Sequence, residues 1–484
     1  MTQTVELPMW LFVLIVLFAA VTFASHFLFP SVRWFFRRRL ERAVARLNQR
    51  LERPIQPFKL ARRYDMIQRL IYDPQVAQAM ADHARAQGIP ENVAFEEARR
   101  YAREIVPSFS AVAYFSIAIR LARFLSNAIY RVRLGYIDET ALKAIDPEAT
   151  VVFVMNHRSN MDYVLITYLA ADRSALSYAV GEWARVWPLS RLIRAMGAYF
   201  IRRKSRNDLY RRVLATYVRL ATQNGVTQAI FPEGGLSLDG SLAEPKLGLL
   251  KYIVDGQVAQ EDSGRDVVFV PVALNYDRVL EDKILTSAAQ SGERRFRAPI
   301  HVVAIRIARQ LWLWMTGRYQ RFGYAAVSFG RPLSFRGFFL REEGENTPTV
   351  LAEELMRRIG ECVPVLPVAL VAAALVRASD GARPLSRSAI EHAMDDLLAQ
   401  MPFAHVHTPR DSRGYAADVG LRQLVVRGIV HQQGGQYRIV ANQHELLMYY
   451  ANSIRHLIPS PSGDLPSQPN NAATANSFSA SAGS

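Results

Sequence analysis

The chain has 484 residues, half of them hydrophobic and 21% charged, which excludes a fully disordered chain and allows one large or several modest domains. A net charge of +16 favours an anionic partner, which leaves nucleic acid, an anionic membrane and a phosphorylated small molecule as classes. The single cysteine, Cys362, excludes an internal disulfide and a multi-cysteine zinc site, and its apolar neighbours predict a buried thiol.

The first predicted element is a transmembrane anchor over residues 9–29. This stretch, MWLFVLIVLFAAVTFASHFLF, contains no Asp, Glu, Lys or Arg. As a helix it is about as long as the roughly 30 Å hydrocarbon core of a bilayer. A cleaved signal peptide is excluded because the preceding MTQTVELP carries no basic residue. A buried soluble helix remains the alternative.

Residues 31–63 are predicted to form a basic amphipathic helix on anionic membrane lipids. Leucines and a valine recur there at helical spacing, and arginine dominates the charge: Arg33, Arg37, Arg38, Arg39, Arg42, Arg46, Arg50 and Arg53. The positive-inside rule then places the rest of the chain on the cytoplasmic side of the cell membrane. A solvated basic helix that simply continues the anchor stays open.

The remaining chain divides into three regions and a tail. Residues 64–145 have helical periodicity, whereas residues 149–335 alternate short β-branched runs such as TVVFVM and VVFVPVAL with helical stretches. That alternation predicts an α/β domain with a mostly parallel sheet flanked by helices. Residues 350–458 are predicted to be mainly helical, and residues 459–484 form a polar, disordered tail.

The C-terminal region raises a nucleic-acid hypothesis. In GLRQLVVRGIVHQQGGQYRIV, a helix, a GG turn and a strand predict a wing-like hairpin. The nearby basic residues Arg422, Arg427 and Arg438 are scattered and aromatic residues are few, which is not the pattern of a nucleic-acid surface. We therefore expect no nucleic-acid partner.

The chemistry of the α/β domain is concentrated where apolar strands stop, since ligands of open α/β sheets bind outside the carboxyl ends of strands. The first polar cluster is NHRSNMD, residues 156–162. On one continuous helix His157 and Asp162 would lie roughly 140° apart, so we place His157 in a loop and Asp162 in the first turn of a helix beginning near Met161. A carboxylate on one imidazole nitrogen makes the other a general base for a hydroxyl group. A loop histidine beside a capping acid fits the spacing equally well.

The second cluster, GAYFIRRK, covers residues 197–204. Its apolar strand delivers Arg202, Arg203 and Lys204 together, and planar guanidinium groups bind phosphate bidentately. A solvated, basic helix face is the alternative.

The third cluster, IFPEGGLS, covers residues 230–237. The Gly234–Gly235 pair after Pro232 predicts a tight turn whose backbone N–H groups approach an anion, with Glu233 in the same mouth. An ordinary connection between two elements is equally compatible. The fourth cluster, FVPVALNYD at residues 269–277, ends a buried strand with weak chemistry of its own.

Other catalytic motifs are absent from the sequence. It contains no G-x-S-x-G around Ser237, no GxxxxGK[ST] loop, no GxGxxG after a strand and no HExxH. His405 and His407 would be only two metal ligands, so we expect neither a metal nor a bound cofactor.

Taken together, the four clusters resemble, in order and spacing, the four blocks of the glycerolipid acyltransferases, and most closely those of the bacterial membrane-bound glycerol-3-phosphate acyltransferases. HRSNMDY resembles the first block, GAYFIRR the second, FPEGG the third, and VPVALNYD with Glu281 the fourth. YYANSIRHL, residues 449–457, resembles the family's C-terminal helix.

The resemblance implies an enzyme of the inner membrane. His157 would take the proton from the 1-hydroxyl of glycerol 3-phosphate and Asp162 would orient His157. The hydroxyl oxygen would attack the thioester of acyl-CoA or acyl carrier protein, giving lysophosphatidate for phospholipid synthesis without a metal, a cofactor or a covalent enzyme intermediate. The resemblance gives no indication of the oligomeric state.

The resemblance also implies a substrate-binding set. Arg202, followed by Arg203, would hold the acceptor phosphate, and Pro271 would line the acyl-donor side. The acceptor pocket would be shaped by the third block, through Glu233, Gly234, Gly235 and Ser237.

One departure puts the acceptor in doubt. The family's third block usually carries arginine after EGG and a second basic residue two places later, where this chain has Leu236 and Leu238. Each lost charge-assisted hydrogen bond weakens phosphate binding by about 1.5 to 3 kcal/mol. Arg158, Arg203 and Lys246 are the nearest basic candidates to compensate. A lysophosphatidate acyltransferase, or a scaffold that kept the fold without the chemistry, therefore stays open.

Overall fold

The structure is a computed structural model that describes residues 8–170, 173–181, 189–202, 207–258, 264–291, 312, 321–341, 347–378, 383–407 and 409–459. An N-terminal group of helices precedes the sheet: α1 Met9–Asn48, α2 Pro57–Leu60, α3 Arg63–Ile71, α4 Pro74–Gln87, α5 Glu91–Ile105, a π-helical segment Ala113–Ala118 and α6 Ile119–Ile129.

The predicted basic helix over residues 31–63 is wrong in its extent. Its first part belongs to α1, which ends at Asn48. The Asn48 side chain then accepts the backbone N–H of Ile55 at 2.9 Å and donates to the carbonyl of Ile55 at 3.4 Å. Pro54 lacks the N–H that a helix continuing through it would need, and Pro57 occupies the first position of the separate short helix α2.

Most of the exposed apolar side chains described in α1 lie in its first third, and Phe35 lies further along. Among its described side chains, those from Phe12 to Phe18 are 48–71% exposed. No helix in the described part of the chain is both long enough and apolar enough to cross a membrane. The predicted anchor over residues 9–29 is therefore not confirmed.

In the described part of the chain, an eight-stranded sheet forms the centre of the fold. Its order is β1-β7-β6-β2-β5-β3-β4, with β8 beside β6. The five strands from β6 to β4 are parallel, and β7 runs antiparallel to β6. The mostly parallel sheet is thus confirmed. The strands are β1 Arg131–Ile137, β2 Thr150–Met155, β3 Ser177–Val180, β4 Tyr199–Phe200, β5 Gln228–Ile230, β6 Val267–Tyr276, β7 Tyr324–Phe329 and β8 Leu333–Ser334.

Both faces of the sheet are covered, which is why its strands read as continuous apolar runs. In β2, Val151, Phe153 and Met155 join one core cluster, while Val152 and Val154 join the other. The connecting helices are α7 Glu139–Lys143, α8 Met161–Leu169, α9 Leu189–Ala195, α10 Asp208–Gln223, α11 Gly248–Val258, α12 Asp282–Ser291 and α13 Phe335–Phe339.

The sheet extends beyond the predicted domain of residues 149–335. β1 lies in the region predicted to be helical, and it pairs in parallel with β7, Arg131 opposite Tyr324. Residues 64–145 are therefore not all helical. The pairing strand is almost 200 residues away in sequence, so local periodicity gives no sign of it.

The C-terminal region is mainly helical and carries a small sheet. Its elements are α14 Thr347–Glu361, α15 Pro367–Ala378, β9 Leu385–Ser386, α16 Arg387–Gln400, α17 Arg413–Val426, β10 Val430–Gln433, β11 Gln436–Ile439 and α18 His444–Asn452. The wing-like hairpin is confirmed: β10 and β11 pair antiparallel around Gly434 and Gly435, whose φ values of 57° and 75° suit a tight two-residue turn. Cys362 is buried, as predicted. Apart from Pro459, the predicted tail lies outside the described residues.

Candidate active site

Asn156 fixes the chain where it leaves β2. Its side-chain Nδ2 donates to the carbonyl of Leu274 at 2.9 Å, and its Oδ1 accepts the N–H of Leu274 at 2.8 Å. This pair of bonds ties the loop to the neighbouring strand β6, beyond the last residue of β2. The residues that follow Asn156 therefore start from a fixed point at the carboxyl end of the sheet.

His157 and Asp162 are in contact. The distance between His157 Nδ1 and Asp162 Oδ2 is 2.8 Å, and the two side chains are 2% and 0% exposed. The sequence predicts this arrangement, because α8 begins at Met161 and Asp162 lies in its first turn.

Asp162 accepts hydrogen bonds from four donors. Oδ2 also accepts the backbone N–H groups of Arg158 and Ser159 at 2.8 and 3.0 Å, and Oδ1 accepts the hydroxyl of Tyr276 at 2.6 Å. Because Asp162 Oδ2 accepts a hydrogen bond from His157 Nδ1, Nδ1 must carry a proton. Nε2 is then the basic nitrogen of the neutral imidazole ring. Within the described residues Nε2 has no hydrogen-bond partner.

Aromatic side chains hold the His157 ring in place. Phe231, at the end of β5, stacks on the imidazole with ring centroids 4.1 Å apart. Tyr163 meets its edge at 5.6 Å. The ring therefore has little freedom to rotate away from Asp162.

The third cluster holds the backbone of His157. Glu233 is buried; its Oε1 accepts the N–H of His157 at 2.8 Å and its Oε2 accepts the N–H of Ala243 at 3.2 Å. Ser237 donates its N–H to the carbonyl of His157 at 2.9 Å. Burial raises the pKa of Glu233, and the nearby charge of Arg158 opposes that rise. Glu233 and Ser237 thus act on the site through His157.

Lys246 lies against the glycine turn of the same loop. Gly234 has a φ of 66°, and a Cβ at that position would meet the side chain of Lys246. The backbone N–H of Lys246 also donates to the carbonyl of Pro232 at 2.7 Å. The structure therefore brings Lys246 to Gly234.

Sequence reasoning missed two residues that brace the first cluster, Tyr276 and Glu281. Glu281 accepts hydrogen bonds from the Ser159 hydroxyl at 2.7 Å and from the backbone and side-chain N–H groups of Asn160 at 3.2 and 3.0 Å. Burial raises the pKa of Glu281, which these donors oppose. Tyr276 lies in the fourth cluster and Glu281 belongs to the fourth block of the resemblance, but neither the spacing nor the resemblance predicts these contacts.

Arg158 is buried with an incomplete set of partners. Its side chain is 2% exposed, and Nη2 lies 3.3 Å from the carbonyl oxygen of Ser453. Nε and Nη1 are buried without a hydrogen-bond partner in the described part of the structure. Burying the N–H donors of a charged side chain without hydrogen-bond partners costs roughly several kcal/mol in the free energy of folding.

Arg202 has a different contact from the one the resemblance implies. It forms a bidentate pair with Glu104 of α5, with N–O distances of 2.8 and 2.6 Å. Its guanidinium also lies 5.2 and 5.3 Å from the rings of Tyr101 and Tyr210. β4 is three strand positions from β2, or roughly 14 Å, so the structure does not bring Arg202 to His157. Arg203 lies outside the described residues.

Pro271 lies inside the sheet instead of at its open end. It is buried in β6 opposite Val154. On the other side of β6, β8 pairs up to Phe269 and β7 from Val272, so Pro271 falls between them. Proline is tolerated there because no partner strand needs its missing N–H.

Within the described ranges, no group of three His, Cys, Asp or Glu side chains is placed to hold a metal ion. His405 instead stacks on Tyr136, with ring centroids 4.3 Å apart. His407 packs against Tyr324.

Two family models match the chain. The Acyltransferase model matches residues 137–275, which include the first three clusters and the fourth as far as Asn275. The model of the glycerol-3-phosphate acyltransferase C-terminal region matches residues 311–463, which include Ser453 and α18. The two matches identify an acyltransferase domain followed by a glycerol-3-phosphate acyltransferase C-terminal region in this chain. The predicted resemblance to the glycerol-3-phosphate acyltransferases is thereby confirmed. Arg158 of the first matched region contacts Ser453 of the second.

Several curated relatives of this acyltransferase are named glycerol-3-phosphate acyltransferase. The glycerol-3-phosphate acyltransferase of Pseudomonas putida KT2440 is 28% identical over 428 residues, 83% of this chain and 50% of the relative. That of Pseudomonas aeruginosa PAO1 is 27% identical over 426 residues, 83% of this chain and 49% of the relative. The chain spans about half the length of the curated relatives it matches.

A solved structure also matches part of the acyltransferase. It is the 1-acyl-sn-glycerophosphate acyltransferase of Thermotoga maritima, with 19% identity and a TM-score of 0.30, covering 51% of this chain and 76% of the other. A TM-score that low supports no inference.

Proposed function

We propose that this acyltransferase moves an acyl chain from acyl-CoA or acyl carrier protein to the 1-hydroxyl of glycerol 3-phosphate, giving lysophosphatidate for phospholipid synthesis. The observation that carries the proposal is the buried contact between His157 Nδ1 and Asp162 Oδ2, which leaves His157 Nε2 as a base at the carboxyl end of the sheet. The substrates come from the names of the relatives.

The chemistry is one addition and one elimination. His157 Nε2 accepts the hydroxyl proton while the hydroxyl oxygen bonds to the thioester carbonyl carbon. Asp162 stabilises the positive imidazolium ring through Nδ1. The tetrahedral intermediate then expels the thiolate, which takes the proton back from Nε2. The products are an ester and a free thiol, and His157 is neutral again. The mechanism needs no metal or cofactor.

Arg158 is the residue we assign to the acceptor phosphate. The third-cluster loop, residues 231–247, connects β5 to α11. Its Leu236 and Leu238 are uncharged and pack against the main hydrophobic core, so they cannot bind a phosphate. Arg158 directly follows His157 and has buried N–H groups without partners among the described residues. Lys246, Gly234 and Gly235 lie on the same loop, and we propose them as further lining of the acceptor pocket together with Arg203.

We place the enzyme at the cytoplasmic face of the cell membrane, attached through α1. The support is the row of exposed apolar side chains from Phe12 to Phe18 and the arginines that follow in the same helix. A product with one acyl chain and one phosphate is amphipathic, so synthesis at a membrane surface delivers it where it is used.

An acceptor and donor panel tests the proposal. The purified full chain in mixed micelles is offered glycerol 3-phosphate or lysophosphatidate, each with labelled acyl-CoA or acyl carrier protein. We expect labelled lysophosphatidate from glycerol 3-phosphate with at least one donor. Acylation of lysophosphatidate alone would overturn the acceptor, and no acylation of either would favour a scaffold without the chemistry.

A further inference from the structure

Arg158 is accompanied by a second buried group without a partner. The hydroxyl of Tyr449 has no hydrogen-bond partner within the described ranges, and neither have Nε and Nη1 of Arg158. Both residues are only 2% exposed. Arg158 Nη2 lies 3.3 Å from the carbonyl oxygen of Ser453, the residue directly after the helix α18 that carries Tyr449. The charge of Arg158 also acts on the Tyr449 hydroxyl, Glu233 and His456. Several unpaired donors buried together indicate that an acceptor of hydrogen bonds is bound there in the working enzyme.

Tyr449 reaches this place from the C-terminal region. It belongs to α18, which packs on the third-cluster loop: Asn452 Nδ2 donates to the carbonyl of Asp239 at 3.0 Å. Gly240 has a φ of 86°, and a Cβ there would collide with the carbonyl oxygen of Tyr449. Close approach of the two backbones therefore requires glycine at position 240. The same loop holds the His157 backbone through Glu233 and Ser237.

We propose that the Tyr449 hydroxyl and the Arg158 guanidinium together bind the phosphate of the acceptor. The inference rests on the proposed function and extends it, because it assigns part of the acceptor site to the C-terminal region. Nε and Nη1 of Arg158 and the Tyr449 hydroxyl offer three donors to one phosphate group. This arrangement supplies the hydrogen bonds that Leu236 and Leu238 cannot make.

The surrounding charges are compatible with an anion. The Glu233 carboxylate is engaged by the N–H groups of His157 and Ala243. Asp282, which also acts on Tyr449, is bonded to Arg427 and to the Tyr450 hydroxyl. Burial lowers the pKa of His456 to about 4, so that ring is neutral, and burial keeps the Tyr449 hydroxyl protonated by raising its pKa.

The test is kinetic and uses a matched pair of variants. Tyr449→Phe removes only the hydroxyl. Tyr199→Phe is the control, because the Tyr199 hydroxyl is also buried without a partner in the described structure. Tyr199 lies in a different core cluster. We expect Tyr449→Phe to raise the KM for glycerol 3-phosphate about tenfold or more with little change in kcat, the effect of one charge-assisted hydrogen bond. Arg158→Gln should raise that KM further, Arg158→Lys should restore part of it, and Tyr199→Phe should leave it unchanged.

A binding measurement separates this inference from the proposed function. Inorganic phosphate should raise the melting temperature of the full chain, and Tyr449→Phe should require about tenfold more phosphate for the same shift. If the wild type fails to acylate glycerol 3-phosphate but shows this difference, the proposed function fails and the phosphate site stands. A KM and a phosphate response unchanged in Tyr449→Phe, or a fall in kcat alone, would overturn the assignment of Tyr449. A wild type that shows no response to phosphate would leave only water at the site and would overturn it as well.

Discussion

Three of the four hydrogen bonds that Asp162 accepts come from groups other than His157. Two are backbone N–H groups of the loop, and the third is the hydroxyl of Tyr276 on β6. These donors fix the carboxylate before any substrate binds, so His157 meets a partner that is already oriented. Tyr276 is therefore a positioning residue.

The Tyr276→Phe variant tests that role. It loses the 2.6 Å bond to Asp162 Oδ1 and keeps the ring beside Tyr130. We expect kcat to fall about tenfold with an unchanged KM for glycerol 3-phosphate, because the acceptor site is untouched. Tyr178→Phe is the control, since that buried hydroxyl bonds Thr167. A steady-state kcat equal to that of the wild type would show that Asp162 does not need Tyr276.

At the scale of the residue, the sequence predicted the contact between His157 and Asp162 but not the hydrogen bonds that Tyr276 and Glu281 add around it. The contact between His157 and Asp162 follows from a loop and the first turn of a helix, both of which are local in sequence. Tyr276 and Glu281 act from more than 110 positions away. Their contacts depend on β6 lying next to β2, and no spacing along the chain contains that information.

At the scale of the element, the position of β4 places Arg202 beside Glu104. The strand lies at the edge of the sheet, where α5 provides Glu104 as an ion-pair partner. The sequence showed that a strand delivers arginines but not which helix meets them. Similarly, β1 was missed because its partner β7 is distant in sequence. The end of α1 at Asn48 was also missed, because the helical spacing of apolar residues continues to Leu51.

A double-mutant cycle tests the pair of Arg202 and Glu104. The Arg202 side chain is 34% exposed, so solvent screens the pair and we expect a coupling energy of about 1 kcal/mol in the free energy of unfolding. Arg202→Gln and Glu104→Gln should each leave the KM for glycerol 3-phosphate within about threefold of the wild type. A tenfold rise in KM for Arg202→Gln alone would return Arg202 to the phosphate site.

At the scale of the whole molecule, buried hydrogen bonds join the C-terminal region to the acyltransferase domain. Asp277, which follows β6, accepts the N–H of Tyr324 at 2.7 Å and that of Val368, in the first turn of α15, at 3.0 Å. Asp282 bonds both Arg427 and Tyr450 in a second buried cluster. The matched family regions therefore form one body around His157 and Arg158.

Asp277 makes the stability of that body depend on pH. Burial raises its pKa to about 7, so between about pH 4 and pH 7 the folded state keeps a proton that the unfolded state has lost. Its stabilising contribution is complete below about pH 4 and is lost as the pH rises through 7. We expect the urea midpoint of the wild type to fall between pH 5 and pH 8 by more than that of Asp277→Asn. Equal changes in the two proteins would contradict this.

Attachment to membranes is the second property of the whole molecule. We expect the full chain to float with vesicles containing anionic lipid, and a variant with Leu14→Asn and Leu17→Asn to float less, because both side chains are exposed on α1. Leu134→Asn changes a similarly exposed leucine on β1 and should have no effect. Recovery of the wild type in the vesicle-free fraction would exclude attachment through α1.

The central claim is that His157 Nε2 removes the proton from the acceptor hydroxyl. The most direct measurement is the rate of acyl transfer from acyl-CoA to glycerol 3-phosphate by the wild type and by His157→Gln, with circular dichroism to show that both are folded. General-base catalysis accounts for about 10² to 10⁴ in rate, so we predict a fall of about a thousandfold in His157→Gln. A folded variant that keeps more than a tenth of the wild-type rate would contradict the claim.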